Sequence, residues 1–312
     1  MEEMPESNPV PVIETFVAIG DSFTEGLADQ APGGGLRGWA DLTAAALAAQ
    51  RPGFRYANLA IRGKLLGQVT AEQVPRAVEM APDLVSLAAG GNDILRGDDV
   101  DTLAADFEPA VAKLQAAGCR VLIFTGFDPR MFPVIRLLRG RVAAYNMHLR
   151  GIADDYGCDL VDLWSMRALK DPRAWSPDRL HLTTQGHRQV ALRTCEVLGI
   201  PPASDWAAPP PTAPAAPIPA TRVSAAGAPV TRGAVQGSSV PSASAPAVRV
   251  PAAGAPATRV PAARARRAEW LAARRQDARW AREYATPWLR RRLTGASSGD
   301  GLSPKRPDLL PV

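Results

Sequence analysis

Between residues 14 and 200, short apolar runs alternate with longer segments whose apolar residues recur at helical spacing; this alternation constrains the fold more than any other feature. A chain that returns to a sheet through a helix each time lays its strands parallel, so the region reads as repeated βα units around a parallel sheet. The strand candidates are Phe16–Ile19, Arg55–Leu59, Leu84–Ala88, Val121–Phe124 and Asp159–Leu163. Several are apolar on consecutive residues, as befits strands covered on both faces. The helix candidates are Trp39–Gln50, Gln68–Met80, Thr102–Ala117, Arg139–Tyr156 and Thr184–Leu198. The fourth is followed by Gly157 and the fifth by Gly199, Pro201 and Pro202, residues suited to capping and stopping a helix.

One α/β domain is therefore expected over residues 14–202, after a Pro-broken N-terminus (1–13) expected to be flexible. From 203 to 261 the chain turns to Pro, Ala, Ser, Gly and Val, with no aromatic residue beyond Trp206. Such a composition cannot build a core. The stretch TRVSAAGAPVTRGAV from Thr221 returns as VRVPAAGAPATRVPA from Val248, an offset of 27 residues. Neither copy carries a helical or strand pattern that would give a repeat unit a buried face, so a disordered Pro/Ala linker is expected rather than a solenoid.

Residues 262–293 carry ten arginines against Glu269, Asp277 and Glu283, a local +7 within a net charge of +5. The remainder of the chain is thus at 5 − 7 = −2. The spacing predicts one helix to about Tyr284, with Pro287 opening a short second one, and an irregular tail over 294–312. A basic helix with Trp270, Trp280 and Trp288 could bind nucleic acid or an anionic surface. The arginines are spread around the helix rather than gathered on one face, so packing of the tryptophans on the α/β domain is the favoured reading. Cys119, Cys158 and Cys195 form no CxxC pair and lie in or beside apolar runs, which suits reduced thiols. With neither a signal-like N-terminus nor an apolar run of membrane-spanning length, a cytoplasmic protein is expected.

Four polar stretches follow the apolar runs. FVAIGDSFTEG puts Ser22 just past the first strand, where open α/β sheets bind ligands. Taken alone, GDS equally suits a turn in which Asp21 or Ser22 caps a helix. NLAIRG puts Gly63 beyond the second strand, where it can present an N–H without a side chain in the way or merely serve a loop. GGND puts Asn92 and Asp93 beyond the third; the Asn92 amide is a suitable donor to a developing oxyanion, and Asp93 suits bonding to nearby backbone, while a Gly-Asn turn is the plain alternative. DRLHLTTQGH puts Asp178 and His181 three apart, close enough for the carboxylate to orient the imidazole, although D-x-x-H alone is a weak pattern. His187 suits packing or hydrogen bonding, and His148 sits in a polar helical stretch. No His, Cys and acid set at metal-ligand spacing occurs, so neither metal nor cofactor is expected.

Together GDSFTEG, NLAIRG, GGND and DRLHLTTQGH resemble, in order and separation, the four blocks of the SGNH or GDSL-like hydrolase superfamily. The resemblance implies a flavodoxin-like three-layer αβα domain with a five-stranded parallel sheet of order 2-1-3-4-5, and metal-independent hydrolysis of a small-molecule ester. It implies Ser22 as nucleophile, His181 as base and Asp178 as its orienting acid, with the N–H groups of Ser22 and Gly63 and the Asn92 side chain as oxyanion donors. Asp21 and Asp93 are supporting. Phe23 stands where the GDSL spelling has leucine, a change expected to alter packing beside Ser22. The basic segment resembles C-terminal extensions of actinobacterial members. Acyl transfer to an alcohol and a non-catalytic binding protein on the same fold are the alternatives. The segment Gly33–Gly38 and the Pro129–Gly140 loop, through Met131, Phe132 and Leu137, are expected to wall the pocket.

Overall fold

The computed structural model describes residues 12–132, 134–203, 271–272, 274–287, 290 and 297–312. The expected flexible N-terminus up to residue 11, the Pro/Ala linker from 204 and the first residues of the basic segment, Trp270 included, lie outside them, as does Trp288. The chain divides into two compact units, Met1–Ala215 with Trp280–Val312, and Ala216–Arg279. The described residues of the second unit, 271–272 and 274–279, are helical.

In the first unit β1 (Thr15–Gly20), β2 (Arg55–Asn58), β3 (Leu84–Ala88), β4 (Arg120–Phe124) and β5 (Asp159–Val161) run parallel, and β6 (Arg306–Pro311) joins them antiparallel. The order is β5-β4-β3-β1-β2-β6. Its parallel part has the expected order 2-1-3-4-5; the sheet has six strands rather than five. The extra one lies within the tail expected to be irregular. Arg55 opposes Pro311, and Asn58 opposes Arg306. With two prolines and an aspartate, RPDLLP lacks the marks of a strand, but an edge strand tolerates prolines because one side of its backbone needs no partner.

Alternate residues of each strand feed opposite cores, as the two-residue period of a strand requires. Phe16, Ala18 and Leu122 join Trp39 and Val190 in one; Val17, Ile19 and Ile123 join Phe107 and Leu149 in the other. The first is covered by α2 (Trp39–Ala48) and α8 (Thr184–Leu198). The second is covered by α4 (Val74–Met80), α6 (Val100–Ala116) and α7 (Arg139–Tyr156). The result is the three-layer αβα sandwich. Gly157 and Gly199 end α7 and α8 in the left-handed conformation, which glycine adopts without penalty. Before α4, α3 (Leu66–Gln68) passes into a π-helical turn, Val69–Gln73.

Two short helices absent from the sequence-based elements, α1 (Ser22–Glu25) and α5 (Gly91–Arg96), begin directly after β1 and near the end of β3. Towards the C-terminus helical structure continues through the π turn Ala281–Ala285 to residue 287, so Pro287 does not open a new helix as expected. The wider π turn just before it gives the proline ring room against the carbonyl four residues back. The three cysteines are free; burial pushes the thiols of Cys158 and Cys195 up to about 11 and about 12. Among the described residues no helix is long and apolar enough to cross a membrane.

Candidate active site

The chain leaves β1 at Gly20, whose φ is +148° and where a Cβ would fall 2.3 Å from Ala88 O. No other residue fits that close approach. Gln73, buried in the π turn, brackets the same residue: its Oε1 accepts from Gly20 N at 2.8 Å and its Nε2 donates to Gly20 O at 3.0 Å. Asp21 is the N-cap of α1, accepting from Phe23 N at 3.0 Å. Ser22, the first helical residue, is therefore not needed as the cap. Its N–H has no acceptor among the described residues, and its Oγ lies 3.0 Å from His181 Nε2. Burial pushes the Asp21 carboxyl up to about 6, against the opposing pull of the Phe23 N–H and of His181.

Asp178 and His181 occupy the turn before α8, closed by a bridge between Trp175 and Leu182 and by the bond from Ser176 N to His181 O at 2.9 Å. Arg179 turns the chain at φ +61°. One Asp178 oxygen accepts from Ser176 Oγ at 2.5 Å, Leu180 N at 2.9 Å and His181 N at 3.0 Å. The other lies 2.6 Å from His181 Nδ1. Burial alone would raise this carboxyl, but the hydrogen bond and charge of His181, with the remaining donors, hold it well below the usual carboxylate range. An ionised carboxylate can only accept, so Nδ1 carries the ring proton and Nε2 is left to accept from the Ser22 hydroxyl. Trp280 Nε1 donates to Asp178 O at 3.0 Å, and the Arg179 guanidinium stacks 5.3 Å from the Trp280 ring centre.

In the loop after β2, Gly63 has φ +75°, and its N–H has no acceptor among the described residues; it is not among the residues that line the cavity at Ser22. The Glu25 carboxylate holds the preceding residue, accepting from Arg62 N at 3.0 Å and from its guanidinium at 2.7 Å. Asp93 accepts from Leu66 N at 3.1 Å, tying α5 to the loop that carries Gly63. The Asn92 amide donates to Asp21 Oδ2 and to Lys64 O, each at 3.0 Å. Both its hydrogens are thus engaged, and donating to a ligand requires exchanging one of these partners.

Ser22, Asn92 and His181 open onto a cavity of about 170 Å³ with a mainly apolar lining that includes Ile94, Leu138 and Val142. The walls differ from those expected. Gly33–Gly38 does not line it: Gln30 and Leu36 bridge to each other, Arg37 pairs with Asp29, and Gly38 packs on Gly26. In the Pro129–Gly140 loop, Phe132 turns inward against Trp175 and Leu137 outward to solvent, and the loop meets the cavity through Ile135 and Leu138. Phe23 packs 5.5 Å from the rings of Trp39 and Phe124. Gln73 and Trp280 are the site neighbours without a sequence signal, since their partners lie 53 and 102 residues away.

The remaining histidines take no part in the Ser22–His181–Asp178 contacts, although His187 lines the same cavity. His187 is buried, accepting at Nδ1 from Trp39 N and donating from Nε2 to Leu27 O, both at 3.3 Å; burial pushes it down to about 4. His148 pairs with Asp101 at the surface. Among the described residues no group of three or more His, Cys, Asp and Glu is placed to hold a metal ion.

The sequence pattern of the GDSL-like Lipase/Acylhydrolase family matches residues 18–189, more than half of the chain and the whole span from β1 into α8. The chain belongs to that family. As a member it is a hydrolase of the esterase or lipase class. No curated protein matches the chain. Among solved structures it is similar to Axe2, an acetylxylan esterase from Geobacillus stearothermophilus, with 22% identity and a TM-score of 0.50 over 60% of this chain and 94% of that one. It is also similar to TesA, with 23% identity and a TM-score of 0.50 over 59% of this chain and 97% of that one. Likeness at these identities speaks for the fold. The family match ends before Pro201, so Trp280 and β6 lie outside it.

Proposed function

We propose that the protein is a serine esterase that hydrolyses carboxylic esters through an acyl-enzyme on Ser22, with His181 as base and Asp178 orienting it. The observation that carries this reading is the relay of two contacts, 3.0 Å from Ser22 Oγ to His181 Nε2 and 2.6 Å from His181 Nδ1 to Asp178. A serine hydroxyl is a weak nucleophile at neutral pH, and such a base removes its proton as it attacks. Oγ adds to the ester carbonyl carbon, the carbonyl π pair moves onto oxygen, and the proton passes to Nε2. The N–H groups of Ser22 and Gly63, with Asn92 after it exchanges a partner, hold the oxyanion. As the oxyanion collapses, the bond to the alkoxy oxygen breaks and His181 protonates the departing alcohol. Water then repeats the sequence on the acyl-enzyme and releases the acid.

The apolar lining supports an acyl chain as the group held beside Ser22, with the alcohol towards solvent. On p-nitrophenyl esters, Ser22→Ala is expected to lower turnover on the order of 10⁶-fold; retained turnover in that variant overturns the reading. In a panel from acetyl to long acyl chains, kcat/KM is expected to rise beyond acetyl, and a steady fall with chain length contradicts the acyl assignment of the cavity.

A further inference from the structure

The C-terminal segment 297–312 lies beyond the family match, yet it touches the loop that carries Gly63 at the peptide that matters most. The Gly63 N–H belongs to the peptide unit whose carbonyl is Arg62 O. At Gly299 a Cβ would fall 2.1 Å from that oxygen and 2.8 Å from Ile61 Cγ2, so the segment's backbone lies flush against this unit. At Gly63 a Cβ would fall 2.4 Å from Ser297 Oγ. Ser297 Oγ donates to Gly63 O at 3.2 Å, fixing the next peptide. The two segments meet with glycine on both sides, an approach that side chains would prevent.

The rest of the segment anchors this contact. Lys305 Nζ donates to Glu25 O at 2.6 Å, to Leu36 O at 3.3 Å and to Arg37 O at 3.2 Å, and pairs with Asp41 at 2.5 Å. It thereby grips Glu25, whose carboxylate holds Arg62 from the other side. Burial raises the Asp41 carboxyl, and the Lys305 charge opposes that shift. Arg306 Nε donates to Tyr56 O at 2.8 Å, and β6 pairs with β2. Arg62 is thus held at its own N–H and guanidinium by Glu25 and at its carbonyl by Gly299, with Lys305 linking the two supports.

We propose that the segment 297–312 is a positioning element of the oxyanion site, orienting the Arg62–Gly63 peptide and with it the Gly63 N–H. The proposal rests on the esterase reading above. Ser297, Gly299 and Lys305 are positioning residues that act through this peptide and touch no substrate. Removing one oxyanion donor from a hydrolase costs on the order of 10²–10³ in kcat, and tilting one costs part of that.

The test is Gly299→Ala in the full chain, since Gly299 does not need a positive φ and the added methyl presses on Arg62 O. With active sites counted by end-point fluorophosphonate labelling, kcat per labelled site on p-nitrophenyl acetate is expected to fall about 10- to 100-fold with KM little changed. Inhibition by a trifluoromethyl ketone, whose adduct carries an oxyanion, is expected to weaken in parallel. Glu79→Ala, which removes an exposed pair with Arg76 outside the segment, is expected to leave kcat per site unchanged. Ser297→Ala gives the same readout, with a loss of several-fold, should Gly299→Ala not fold. An unchanged kcat per site in whichever variant folds, or a loss accounted for by fewer labelled sites, overturns the proposal. Activity surviving Ser22→Ala would instead overturn the esterase reading, so the two failures are distinct.

Discussion

The two halves of the site, Ser22 and the Asp178–His181 turn, are held by different physics. Ser22 sits at the end of a central strand, and its support is buried and non-local: Gln73 brackets Gly20, Asp21 caps α1, and the Asn58 amide reaches Thr24 O at 2.9 Å. His181 lies outside the sheet in a turn that organises itself, with Asp178 collecting donors from residues 176, 180 and 181. Its long-range support is Trp280. A nucleophile fixed by the sheet needs little from the rest of the chain, whereas a base carried on a short turn depends on every local hydrogen bond and gains from an outside brace.

His181→Ala removes the proton acceptor and is expected to lower kcat on the order of 10⁶-fold, about as much as loss of Ser22; steady-state rates on a p-nitrophenyl ester decide it. Asp178→Ala leaves the imidazole present but unoriented, so a smaller loss on the order of 10⁴-fold is expected. Equal losses from these two variants would mean that the turn collapses without its acid.

Asp21→Asn probes the sheet side through stability. Asp21 holds its proton more tightly in the folded state, at about 6 against 3.8, because it is buried. Ionising it therefore costs the fold on the order of 3 kcal/mol above pH 6, and the penalty disappears as pH falls to about 4. Asparagine caps a helix as well as aspartate does. Chemical denaturation is expected to find Asp21→Asn gaining on the parent by about that amount between pH 4 and pH 8, from a deficit at pH 4 because its amide nitrogen cannot accept from Asn92. A gain of equal size at both pH values contradicts the burial account.

Trp280→Phe keeps the ring over Arg179 and deletes the bond to Asp178 O. A net hydrogen bond of about 1 kcal/mol predicts a loss of about fivefold in kcat, read as a kcat decrease at constant KM. No change would confine the brace to packing.

Much of this arrangement was legible in the sequence because it depends on local pattern. β1, β3 and β4 appear as apolar runs since both faces are buried, and Gly157 and Gly199 mark helix ends closed by a left-handed residue. Ser22, Gly63, Asn92 and His181 each follow a strand or precede the last helix, where an open α/β sheet gathers its ligand-binding groups. What escaped is set by partners distant in sequence. β6 pairs with β2 some 250 residues earlier and carries two prolines. Gln73 reads as one more polar helical residue until its amide is found on Gly20. The cavity walls also escaped, because the turn Ile135–Leu138 decides which apolar side chains face in. GDS posed a choice between helix cap and nucleophile, and neighbouring residues divide it: Asp21 caps, and Ser22 faces His181.

The central claim is the covalent step on Ser22. Rapid-quench reaction with a p-nitrophenyl ester, followed by intact-mass and peptide-mass analysis, tests it directly. The account predicts a burst of p-nitrophenol approaching one equivalent, with a single acyl group on the peptide containing Ser22. Turnover without an acylated protein, or an acyl group carried by another residue, would contradict it.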